Sequence, residues 1–152
     1  VKIVTKNILK SNKIVKNVDT AGTAGYDTNP ITAGNNSYEV YLKGGWSGTF
    51  NKIDNLQVWM STDFSPNTGL SVYWKANGTT AYAAPSTATS VAVDAVPTSD
   101  PGSENLYIGG SSGGSLTAAG KSDYCVLQLR TTTAAAAGDT SLAEFTLQFD
   151  ES

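Results

Sequence analysis

Few side chains in this sequence can do covalent chemistry. It holds no histidine and a single cysteine, Cys125. Without histidine, Ser-His-Asp and Cys-His catalysis are out of reach, and the commonest transition-metal ligand is missing. A lone cysteine builds neither an intrachain disulfide nor a cysteine-rich zinc site. Cys125 also lies in an apolar, alternating run, which marks it as a small buried hydrophobe. Two carboxylates flanking a bond could hydrolyse a glycoside, but the acids are scattered through turn-like segments. Asp94, Asp100 and Glu104 are the nearest thing to a calcium loop; their surroundings favour a solvated acidic loop. The run Gly109-Gly110-Ser111-Ser112-Gly113-Gly114 is rich in glycine, yet no lysine or helix follows to hold a phosphate. It reads as a hairpin loop. The expectation is a non-enzymatic protein, with no residue assigned to catalysis, a cofactor or a metal.

The remaining chemistry is that of contact. Trp46, Trp59 and Trp74 would stack on sugars if they shared an open face. Trp74 alternates with Leu70 and Val72 and belongs to the core. Trp46 and Trp59 remain as candidate exposed aromatic contacts, so surface glycans stay on the list of partners. Asn35 and Asn77 each begin an Asn-x-Ser/Thr triplet and are candidate glycosylation sites.

These groups must be positioned by strands. Period-two alternation is clean over residues 70–75, with Leu70, Val72 and Trp74 on one face. It recurs over 124–130, with Cys125, Leu127 and Leu129 inward, and over 144–150, with Phe145, Leu147 and Phe149 inward. Residues 37–43 and 49–61 are further strands, the second centred on Leu56 and Val58, and 91–93 and 106–108 are shorter ones. Turn residues separate them, at 33–36, 65–69, 77–78, 99–102 and 109–114. Residues 131–137, rich in Ala and Thr, form the loop between the last two strands. Short strands at such spacing predict an all-β fold, an antiparallel β-sandwich of jelly-roll-like order with an extended N-terminal arm or strand. The divisions are an arm over 1–18 and one sandwich domain over 19–152. No segment is long and apolar enough to span a membrane as a helix, and no leader is visible.

Charge sets the arm apart. Residues 1–18 carry Lys2, Lys6, Lys10, Lys13 and Lys16 and no acid, whereas the rest of the chain carries five basic residues against thirteen acids. A +5 arm and a −8 body attract one another, within a chain or between copies. The arm lacks the arginine and aromatic side chains that nucleic-acid sites carry, which argues against that partner.

Four segments carry a resemblance: SYEVYLKGGWSGTFNKIDNLQVWMS (37–61), VPTSDPGSENLYIGG (96–110), SLTAAGKSDYCVLQL (115–129) and AGDTSLAEFTLQFDE (137–151). In general character they resemble phage- and archaeal-virus-type structural proteins. The resemblance implies a virion component, a capsid-decorating or tail-associated β-sandwich. In character the chain also resembles extracellular pilus or biofilm-fibre subunits, in which an N-terminal segment completes the next copy. Val1, Ile3, Ile8 and Leu9, with Lys2, Lys6 and Lys10, would then form the assembly arm. Its partners are copies of the same chain or closely related subunits, outside the cell. On this reading, deleting residues 1–18 leaves the body folded by circular dichroism and abolishes assembly in sedimentation. A truncated chain that assembles as before would falsify the role given to the arm.

Overall fold

A computed structural model describes residues 31–76, 81–136 and 141–152, together with the backbone of 2–10. The described chain is all-β and has no helix. Its strands are β1 (Lys2–Lys10), β2 (Val40–Leu42), β3 (Gly45–Trp46), β4 (Ile53–Thr62), β5 (Leu70–Lys75), β6 (Asp94–Ala95), β7 (Gly120–Lys121), β8 (Cys125–Thr131) and β9 (Leu142–Glu151). They form antiparallel sheets of order β1-β9-β4 and β2-β8-β5-β6, plus the small pair β3-β7.

One core draws on both larger sheets. Leu56, Val58 and Met60 of β4 and Phe145 and Phe149 of β9 join Val72 and Trp74 of β5 and Cys125, Leu127 and Leu129 of β8. These are the positions that alternation turns inward. Leu147 and Leu70 pack against the same core while keeping some exposure.

Three local expectations are corrected. Residues 91–93 are not a strand; the chain bends there, and the short strand falls on Asp94–Ala95, beside Trp74 and Tyr73. Residues 106–108 are not a strand either. Leu106 is buried without a ladder, and Ile108 makes one isolated bridge to Ser111. Leu106 and Ile108 are apolar because they fill the core, and burial alone does not require pairing; of residues 91–93 only Ala92 is buried, and Val93 is 47 % exposed. Finally, β8 is buried on both faces, with Val126 and Gln128 as inaccessible as their inward neighbours. The segment 86–92 straps its outer side. Gln128 Nε2 donates to the carbonyls of Ala88 (3.0 Å) and Ser37 (3.1 Å). Arg130 donates to the carbonyls of Thr89 and Ala92 while its guanidinium lies 3.8 Å from the Tyr73 ring centre. Glu39 accepts from Ser86 N–H at 3.2 Å. Each of these side chains thereby finds partners under the strap, while the second carboxylate oxygen of Glu39, Oε1, is buried without one.

Strand β4 carries a bulge. The register shifts between Asp54 and Gln57, Asn55 sits at φ 51°, and its amide donates to Asp150 Oδ2 at 3.0 Å. Asparagine tolerates this left-handed geometry, and the extra residue explains why Leu56, Gln57 and Val58 are buried in succession.

Two connections, β4–β5 and β8–β9, pass between the larger sheets, and they are tied together. Ser65 N–H donates to Ser141 Oγ and Ser141 N–H to the Ser65 carbonyl, each at 2.8 Å; Thr132 N–H donates to the Gly69 carbonyl at 2.8 Å. The approach is so close that a Cβ on Gly69 would lie 2.5 Å from Ala135 N. Gly102 has nearly the same backbone angle, φ 69° against 73°, but open space around it. The pair separates conformational strain from steric conflict. Gly102→Ala is expected to cost about 1 kcal/mol of stability from left-handed strain alone. Gly69→Ala is expected to cost about 3 kcal/mol, adding the clash. Urea melts of the two variants, compared at equal slope, measure the difference.

Candidate functional site

Strand β9 is the centre of its sheet only because β1 lies beside it. The register runs Lys2↔Phe149, Ile3↔Gln148, Val4↔Leu147, Thr5↔Thr146 and Lys6↔Phe145, then slips and resumes at Leu9↔Ala143 and Lys10↔Leu142. Ile8 falls within the irregular stretch. Val1 and the linking residues 11–30 lie outside the described residues. Apart from Val1, the assembly-arm residues named from the sequence are thus gathered on one strand along the C-terminal strand.

Next to this seam is an apolar cavity of about 340 Å³. Leu42 and Trp46 line it from β2 and β3, Val58 from β4, Leu127 from β8, and Phe145 and Phe149 from β9. Among the described residues, Lys43 is the charged one on its wall. Take β1 away and two things follow. The outward N–H and C=O groups of β9 lose their partners, and an apolar hollow lies directly behind them. Unpaired backbone groups beside apolar surface are a template for a strand.

Of the three tryptophans, Trp74 is buried in the core. Trp46 is half-buried, its ring folded over Gly44 and set edge-on to Phe149, with centroids 5.4 Å apart. A Cβ on Gly44 would meet the Trp46 ring at 2.6 Å, so the glycine makes room for it. Trp59 is half-buried as well. Among the described residues, a further aromatic group lies elsewhere. Tyr41 packs edge to face with Tyr82 and Tyr124, with centroids 5.1 and 5.5 Å apart, Tyr82 and Tyr124 are tilted to each other at 6.1 Å, Lys43 Nζ lies 4.1 Å from the Tyr124 ring centre, and Tyr82 is 60 % exposed. Burial and the neighbouring Glu39 carboxylate, which accepts from Tyr41 Oη at 3.4 Å, raise the Tyr41 phenol above its ordinary value. Sequence reasoning missed this cluster because it depends on β2 pairing with β8, far along the chain.

The three acids weighed for calcium bond to separate partners, and Glu104 Oε1 is buried without one. Asp94 pairs with Lys75 at 3.1 Å, Asp100 caps its own turn at Gly102 N–H, and Glu104 accepts from Gly113 N–H and Ser112 Oγ. Asp123, buried, accepts from Gly109 and Gly110 N–H and so pins the glycine-rich loop. Among the described residues no group of three or more metal-ligating side chains is placed to hold an ion. Asn35 is exposed at a turn, while Ser37 of its triplet is buried and holds Leu129 N–H at 2.9 Å. Asn77 lies outside the described residues.

No family model, no curated protein and no solved structure matches the chain.

Cys125 offers a readout of the core behind the seam. Burial pushes its thiol up from 9 to about 12. A group held neutral in the fold stabilises it fully below the unfolded value and loses that contribution as pH rises toward the folded one. The expectation is a stability that falls between about pH 9 and pH 12, and a thiol that reacts with Ellman's reagent only after unfolding. Rapid labelling of the folded protein at pH 8 would contradict this placement.

Proposed function

We propose that the chain is a non-enzymatic structural subunit of an extracellular or virion assembly, joined to its neighbours by exchange of the N-terminal strand. The observation that carries this reading is the pairing of β1 along β9 beside an apolar cavity. The same edge accepts the same strand whether it comes from its own chain or from the next. In this proposal the two larger sheets pack face to face as a jelly-roll-like sandwich, with the arm as its exchangeable strand. The charges agree, because a lysine-rich strand is drawn to an acidic body. Surface glycans are the rival partner, and on that reading the contact is the tyrosine cluster around Tyr82.

The exchange is tested by disulfide trapping in a Cys125→Ala background. One population carries Val4→Cys and another carries Leu147→Cys, positions opposite each other in the β1–β9 register. Mixed under assembly conditions and then oxidised, they should give covalent dimers that neither population gives as a heterologous pair alone. If no cross-chain product forms, while a chain carrying both substitutions closes internally, the arm stays at home and the proposal fails. Electron microscopy of the natural material sorts the kinds of assembly. Capsids or tails bearing the protein mark a virion component, and homopolymeric fibres mark a filament subunit. Dispersed monomers that bind polysaccharide, and lose it with Tyr82→Ala, replace assembly by glycan binding.

A further inference from the structure

The two sides of the β1-β9-β4 sheet are finished by different means. On the far side, backbone groups of β4 from Ile53 to Met60 are already taken, though among the described residues no strand lies there. Ile53 exchanges two backbone hydrogen bonds with Leu116, at 2.8 and 2.9 Å. The Leu56 carbonyl accepts from Asn105 and Leu106 N–H, at 3.0 and 3.2 Å. Val58 N–H donates to Asn105 Oδ1 at 2.8 Å, and Asn105 Nδ2 donates back to the Val58 carbonyl at 2.9 Å. Met60 N–H donates to the Pro97 carbonyl at 2.8 Å. The primary amide of Asn105 thus offers Val58 one acceptor and one donor, as a residue of a paired strand would.

We propose that this sheet is built to take one added strand, along β9, and is sealed against a second along β4, with the Asn105 side chain as the seal. An incoming strand on β4 would have to displace a continuous series of hydrogen bonds before making its own. Once β1 is in place on β9, it is itself the new edge, and its lysines at positions 2, 6 and 10 resist further pairing, as charged edge strands do. Each copy then has one donor and one acceptor, which gives chains or rings without side growth. The identity of the added strand rests on the strand-exchange reading; the sealing of β4 does not.

Hydrogen exchange on the full-length chain tests it. In the unsubstituted protein, Val58 and Met60 amides should exchange as slowly as amides in the middle of β8, before and after assembly. Fast exchange at both would mean an open edge and overturn the inference, whatever variants do. Asn105→Ala should speed exchange at Val58 by about tenfold or more and turn slender assemblies into laterally associated, thioflavin-positive aggregates. A folded Asn105→Ala protein with unchanged Val58 exchange and unchanged assemblies would also overturn it. Slow exchange at Val58 and Met60, combined with failure of the cross-chain disulfide, would retain the seal and remove only the exchange.

Discussion

A β-strand in the middle of a sheet needs partners on both sides, and β9 is the strand for which this requirement shapes the molecule. It brings Phe145 and Phe149 to the core, so it cannot be left as a wet edge without exposing the apolar surface behind it. One partner, β4, is supplied from within the body. The other, β1, comes from the opposite end of the sequence: Lys10 and Leu142 are 132 residues apart and stand opposite each other. Backbone hydrogen bonding is obligatory for buried groups, so the body alone leaves a place to be filled.

Elsewhere the body pairs many of its own backbone groups, and it does so with side chains as well as with strands. The strap over β8 is held by Glu39, Gln128 and Arg130. The glycine-rich loop is held by Asp123 and Glu104, and the β4 edge by Asn105. In each case a polar side chain satisfies backbone groups that a regular ladder would otherwise serve. This accounts for a composition poor in charge but rich in Asn, Ser and Thr: many of these residues work as hydrogen-bonding groups inside loops that lie over the core.

Alternation made the long strands legible. Residues 70–75 coincide with β5, and the inward faces of β8 and β9 are the ones their sequences show. Alternation could not reveal the burial of Val126 and Gln128, since that depends on a strap from a separate segment. Nor could it separate Leu106 and Ile108, buried in a loop, from a short strand, because both patterns place apolar residues close together. The pairs β3-β7 and β2-β8 join segments with no mutual signal in sequence, which hid the tyrosine cluster and the lodging of Trp46 over Gly44. The lysine-rich N-terminal segment stood out by charge; that its pairing partner is β9 became visible only in the register.

The pairing of β1 with its own β9 also has a kinetic meaning. Because β1 belongs to the same chain as β9, it meets its seat at an effective concentration set by the covalent connection and not by the bulk solution, so in dilute solution each chain covers its own edge. Under the proposed exchange, that closed form is the starting state, and growth is a displacement reaction rather than a simple encounter. Its pace would then be set by how often a strand peels away from home, and its onset by whether neighbours are crowded enough to outcompete the chain's own strand.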